Sequence, residues 1–470
     1  MNSSFFLLAE NEHNVSHLNV VSLFGLLVMV GLAWLMSSHR SRVNWSLVVK
    51  GLLLQAVLAA ILFSSQNWTM GGTYENGILF WALDGFFGYI KQWTDDGANF
   101  VFAGWENSKL GDDKYYRTNP YFLIRTFAFG VMPTVIFFSA LMSVLYYLGI
   151  MQRVVRGMAW VMQRTLGTTG PESLASAANV FVGHTEAPLV IRPYVGKMTI
   201  SELNALMIGG FATITGGLMA VFVSFGVSAG HLVVASIVSA PAAILIAKIL
   251  QPETEPVDAS APLETSNDQA AVNVIEAAAN GASEGVKLAI NIVGMLIAFL
   301  ALIAMANTMI GWIGELVESM INSGRGSSHQ IDLQWSLSGL FGLLFFPLAW
   351  VMGIEGGDCF AAGNLLGTKI VLNEFVAYSD MGGIITSMQT PDFDPSKQVS
   401  LSDRTILILT YALCGFSNFG AIGIQLGGIG ALAPERRSDL ARLGLRAMFG
   451  GMLACCMTAC IAGALDGVLN

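Results

Sequence analysis

Long apolar runs alternate with short polar turns along most of this chain. Val20–Ser38 and Trp45–Ser65 are the first two, and each has the length a helix needs to cross a bilayer. Arg40, Arg42 and Lys50 gather at the turn between them. Positive charge favours the cytosolic side, so the pattern predicts that turn inside and the amino terminus outside. Further spans are predicted at Leu123–Ile150, Leu203–Gly226, His231–Leu250, Leu288–Ile313, Ile406–Gly428 and Ala447–Ala464. Arg153, Arg156 and Arg164 follow the third span, and Arg436, Arg437, Arg442 and Arg446 precede the last. Both groups fall on the cytosolic side of the resulting path.

Two stretches interrupt the pattern. Residues 170–201 are apolar but carry Pro171, Gly183, Pro188, Pro193 and Gly196, and residues 339–378 carry Pro347, Gly353, Gly356 and Gly357. Such residues disfavour a continuous helix. Each stretch is expected to form two half-helices meeting at a tip, a re-entrant hairpin that needs protein or a cavity around it. The expected fold is all-α and polytopic: eight transmembrane helices and two opposed re-entrant hairpins in an inverted-repeat transport domain. Interruptions in corresponding halves point to a binding site near the midplane.

The expected units run in order. Residues 1–65 hold the first two spans, and 66–120 form an interfacial and polar extracellular insertion. Residues 121–169 hold the third span and a basic linker, and 170–250 the first hairpin and two spans. Residues 251–285 are a polar cytosolic linker. Residues 286–425 hold a span, the second hairpin and a substrate-site helix, and 426–470 a basic loop and the last span.

Composition removes several function classes. The chain has 470 residues, 54% hydrophobic and 12% charged, about half the charge of a soluble domain. A net charge of −9 argues against a nucleic-acid partner. Five cysteines in apolar context show no ligand spacing. No phosphate-loop or metalloprotease motif is present, so neither nucleotide-driven pumping nor hydrolysis has support. A multi-pass membrane protein surrounded by lipid remains, read as non-enzymatic, with a membrane enzyme built on a Glu/His site and a channel as the less favoured alternatives.

The candidate chemistry lies in the interrupted stretches. Half-helix tips expose backbone N–H and C=O groups that can hold an ion or a polar solute. Glu186 and Glu374 each sit in apolar surroundings and need a donor, a cation or a proton. A carboxylate can accept two sugar hydroxyls. Asn418 adds a donor and an acceptor, and Phe416 an apolar face. The alternatives are structural: Glu186 stapled to Arg192, Glu374 paired with Lys369, His184 a core hydrogen-bonding residue, and Asn418 a bridge between helices.

Three motifs, "NVFVGHTEAPLVIRPY", "GTKIVLNEFVAY" and "CGFSNFGAIGIQLGG", resemble those of the concentrative nucleoside transporter family over about residues 120–466. The resemblance implies a homotrimer in a cell membrane, of the bacterial inner-membrane type, and cation-coupled nucleoside symport by an elevator-like movement. Gly183, His184, Thr185 and Glu186 match the family's first hairpin tip, where the base is held. Glu374 and Asn418 match its ribose contacts, and Phe416 the neighbouring aromatic. Asn179, Val182, Thr213 and Ile214 match its sodium site. The coupling ion is Na⁺ or H⁺, and no other cofactor is implied. Two positions depart from the family: His184 stands where glutamine is usual, and Ala421 where serine is frequent. A proton-coupled permease for an unusual nucleoside such as pseudouridine is the alternative.

Overall fold

The computed structural model describes residues 4–64, 77–102, 127–184, 186–256, 271–322, 336–395 and 398–467. The apolar runs form helices as the pattern predicts. These include α1 (Ser4–Leu35) and α2 (Trp45–Ser64). Six described helical stretches are long and apolar enough to cross a membrane. A seventh counts if a bent pair is one span.

The helix α3 (Gly77–Phe102) lies within the expected polar insertion. It buries Phe80, Phe87 and Ile90, whose spacing puts them on one helical face. The rest of that insertion, 66–76 and 103–120, lies outside the described residues. Next come α4 (Phe127–Tyr147) and α5 (Ile150–Leu166), bent by 77° at the break between them. Gly149 takes φ +74° at that corner, a conformation glycine adopts without a Cβ clash. The Arg-rich segment is thus a helix and not a linker. Met151, Val155, Ala159, Met162 and Leu166 form its buried face, and its arginines occupy the other faces.

The chain continues through α6 (Gly170–Ala178), a turn, α7 (Ala187–Val190) and α8 (Arg192–Val195). A broken helix comes next, α9 (Ile200–Ala212) and α10 (Gly216–Ser224). The break is chemical: Thr213 is extended at φ −129° and ψ 166°, and the Thr215 side chain accepts from Leu218 N–H to start the second half. Then come α11 (Ala229–Leu250) and α12 (Val274–Asn322). The latter has 49 residues and begins well before the expected span at Leu288, inside the expected linker. Its early turns pack closely on α4: a Cβ at Gly281 would stand 2.6 Å from the Ser139 carbonyl. Small residues permit such backbone approach between membrane helices.

The second interrupted stretch departs from expectation. Pro347 sits inside the helix α13 (Leu337–Val351) and does not end it, as membrane helices tolerate when neighbours satisfy the freed backbone. Beyond residues 352–358 lies α14 (Cys359–Val371), which stops at Leu372 and Asn373 before α15 (Glu374–Met388). The relevant tip is therefore at 372–373 and not between residues 347 and 357. A second broken helix, α16 (Asp403–Ala412) and α17 (Phe419–Leu432), leads to α18 (Arg437–Leu465).

A buried polar node ties the chain ends to α16. Arg404 Nη1 donates to Asn19 Oδ1 at 2.6 Å and to Asp466 Oδ2 at 3.0 Å. Its Nε donates to the Gly353 carbonyl at 3.0 Å and its Nη2 to Ser22 Oγ at 2.9 Å. Arg404 is buried while Asp466 is only partly so, and removing the guanidinium leaves its acceptors short of a donor at a cost of about 1–3 kcal/mol. Arg404→Ala is expected to lower the unfolding temperature of the detergent-purified protein markedly. Lys287→Ala, whose pair with Glu284 is exposed, should leave it nearly unchanged. Equal, small shifts in a thermal scan of both variants would refute the assignment.

Candidate functional site

The two helix breaks meet. Phe416 N–H donates to the Thr213 carbonyl at 3.3 Å, and Ser417 Oγ donates to the Phe211 carbonyl at 2.9 Å. Both contacts join residues 413–418 to the break in α9–α10. The tip after α6 reaches the same break, because Gly216 N–H donates to the Phe181 carbonyl at 3.2 Å. Close contact is enforced at Gly183, where a Cβ would lie 2.8 Å from Thr215 Cγ2.

Around this junction the expected residues assemble in two groups. Asn418 Nδ2 donates to Glu374 Oε2 at 3.1 Å, and both residues are buried. Each opens a helix. The Asn418 side chain caps α17 through Ala421 N–H at 2.8 Å, and Asn373 caps α15 through Val376 N–H at 2.9 Å. Helix starts carry partial positive charge, which favours a carboxylate there. Two residues before Asn418, the Phe416 ring meets the His184 ring edge-on at 4.6 Å between centroids. Glu186 turns back to accept from Gly183 N–H. Thr185 lies outside the described residues.

The structural alternatives resolve differently. Lys369 is buried and donates to the Ala412 carbonyl at 2.8 Å. It satisfies the end of α16 and leaves Asn418 as the side-chain partner of Glu374. Among the described residues Glu186 makes no ion pair with Arg192. Ala421 is buried one turn into α17, where its methyl offers no polar contact.

The second group is the proposed ion ligand set. Asn179 is buried at the end of α6, and neither its Oδ1 nor its Nδ2 has a partner among the described residues. It faces α9 at Gly209, where a Cβ would stand 3.0 Å from Asn179 Nδ2. Thr213 Oγ1 is tied to the Gly209 carbonyl at 2.9 Å. Among the described residues no backbone N–H reaches the carbonyls of Val182 or Ile214. An orphaned amide oxygen, with carbonyls that accept no backbone N–H among the described residues at two interrupted helices, is the type of oxygen donor a hard cation takes. These residues therefore fit a sodium ion. One buried polar group here had no sequence signal beyond its place seven residues after Asn418: Gln425, on the inner face of α17.

Comparison with known proteins defines the class and then the family. Residues 24–105, 128–229 and 231–463 match family profiles described as "Na+ dependent nucleoside transporter N-terminus", "Nucleoside recognition" and "Na+ dependent nucleoside transporter C-terminus". These profiles define a class of multi-pass membrane transport proteins.

The chain belongs to the concentrative nucleoside transporter family. It is 40% identical to solute carrier family 28 member 3 of Eptatretus stoutii over 95% of this chain and 60% of that protein. It is also 40% identical to an uncharacterized transporter of Haemophilus influenzae over 95% of this chain and 98% of that one. The chain thus spans about three-fifths of the animal relative. Among solved structures, CNTnw in an inward-facing substrate-bound state superposes with a TM-score of 0.80 at 38% identity, covering 96% of this chain and 98% of that one. A CNTnw variant in an outward-facing state gives 0.82 at 37% identity with the same coverage.

Proposed function

We propose that this protein imports nucleosides by symport with a cation, Na⁺ in the first instance. The observation that carries the reading is the Glu374–Asn418 pair at two capped helix starts. A buried carboxylate with spare lone pairs suits two ribose hydroxyls, and the second N–H of the Asn418 amide is available to join them. His184, Gly183 and Phe416 would enclose the base, while Glu186 shapes the tip. Asn179 and Thr213 with the carbonyls of Val182 and Ile214 would hold the ion. Ion binding fixes the turn after α6 against α9–α10, which sets His184 for the base. The coupling then needs only that ion and solute bind better together than apart.

The working architecture is eight spanning helices with two opposed re-entrant hairpins, assembled as a homotrimer in a bacterial inner membrane. The hairpins would be α6 with α7–α8 and α14 with α15. Carriage by an elevator movement is supported by the similarity to both inward- and outward-facing CNTnw structures. Uptake of radiolabelled uridine, cytidine and adenosine into proteoliposomes tests the proposal. Accumulation is expected to follow an inward Na⁺ gradient and to collapse when choline replaces Na⁺ at fixed pH. Uptake that persists in choline and tracks a proton gradient would overturn sodium coupling. Failure to accumulate any nucleoside would overturn the reading itself.

A further inference from the structure

Two buried groups with unsatisfied atoms converge on Gly210. His184 is 8% exposed and Gln425 is fully enclosed. His184 Nδ1 and Gln425 Oε1 both lack a hydrogen-bond partner among the described residues. They are neighbours across Gly210: a Cβ on that glycine would stand 2.6 Å from His184 Cβ and 2.8 Å from Gln425 Nε2. The missing side chain at Gly210 is what lets α9, the tip after α6, and α17 converge. Buried polar groups are rarely left unpaired, and two orphans at one crossing call for an explanation.

Gln425 is not free to turn. Its Nε2 donates to the Met207 carbonyl at 3.2 Å, so flipping the amide would set oxygen against oxygen. That leaves one N–H and Oε1 available toward the imidazole. An amide so placed can serve either neutral tautomer of histidine: Oε1 accepts from Nδ1–H, or the second N–H donates to a bare Nδ1. The choice decides the other nitrogen. His184 Nε2 then presents a lone pair in the first case and an N–H in the second, since the bond at one ring nitrogen fixes the state of the other.

We propose that Gln425 is a positioning residue for nucleobase selection, setting the tautomer and tilt of His184 across Gly210. The inference rests on the reading of the site as a nucleoside site. The chemistry it reads is the edge of the base that differs between amino and oxo nucleosides. Cytidine carries an exocyclic amino donor and a bare N3, whereas uridine carries an oxo acceptor and an N3–H. A histidine locked in one tautomer matches one of these edges and not the other. A histidine released from Gln425 samples both states and discriminates less.

The test is a double-mutant cycle read as the ratio of cytidine to uridine KM in proteoliposomes. Gln425→Met, close in shape and without the amide, is expected to move that ratio toward one by about three- to tenfold. Vmax should change little for either nucleoside. In a His184→Gln background the same Gln425→Met change should leave the ratio where His184→Gln alone put it. An unchanged ratio in the single variant would overturn the proposal, as would an equal shift in both backgrounds. Where a variant gives too little uptake, nucleoside-induced thermal shifts of purified protein supply the same ratio. Wild-type protein that transports neither nucleoside would defeat the underlying site reading instead, so the two failures are distinguishable.

Discussion

Glu374→Ala is expected to abolish measurable nucleoside uptake while leaving a folded protein. Glu374 is the first residue of α15, 3% exposed, with one side-chain donor at 3.1 Å. A carboxylate has about four lone-pair sites, and with Asn418 and a backbone N–H accepted, about two remain for solute hydroxyls. Hydrogen bonds to a charged acceptor contribute about 1.5–3 kcal/mol each. Loss of two hydroxyl contacts therefore removes about 3–6 kcal/mol, or roughly two to four orders of magnitude in affinity. Glu374→Gln keeps the shape and one acceptor, and should fall between. The fold should survive because Asn373 and not Glu374 caps α15, and because Lys369 is held by the Ala412 carbonyl. Calorimetric titration with uridine in saturating Na⁺ gives the number. A dissociation constant within threefold of wild type in Glu374→Ala would remove Glu374 from the site.

How far this site was legible in the sequence depends on which physical signal marks each part. Apolar runs marked α1, α2, α11 and α18 because lipid and core demand apolar side chains all round. The same measure overlooked α5, whose three arginines hide an apolar stripe at Met151, Val155, Ala159, Met162 and Leu166. Proline and glycine were a partial guide to helix breaks. Pro347 lies within α13, whereas the break at Leu372–Asn373 contains neither residue type. Side-chain caps were the better guide: Thr215, Asn373 and Asn418 each start a helix at a break by accepting a backbone N–H. All three residues adjoin or form the candidate site, since the cap that ends one helix and begins another also exposes the polar groups a solute needs. The His184–Gln425 crossing was not readable locally. It depends on a missing Cβ at Gly210 in a third segment, and no periodicity reports such a meeting.

Asn179→Leu separates the ion from the solute. Asn179 is 1% exposed and neither polar atom of its amide is paired among the described residues. In an ion-free protein such an orphan costs about 1–3 kcal/mol, so an apolar residue of similar size should hold or raise stability without Na⁺. If the amide oxygen is an ion ligand, its loss weakens Na⁺ binding by a similar amount, roughly ten- to a hundredfold in the half-saturating concentration. Thermodynamic linkage then constrains the nucleoside: whatever factor Na⁺ contributes to nucleoside affinity must disappear from nucleoside binding when Na⁺ no longer binds. The variant should therefore bind uridine as weakly in physiological Na⁺ as wild type does in choline. Its thermal stability should no longer rise with added Na⁺. A purely structural asparagine would give the opposite signs, with a less stable ion-free protein and an unchanged Na⁺ response. Thermal scans with and without Na⁺, paired with uridine titrations in the same buffers, read both signs at once. An intact Na⁺ dependence in Asn179→Leu would place the ion elsewhere.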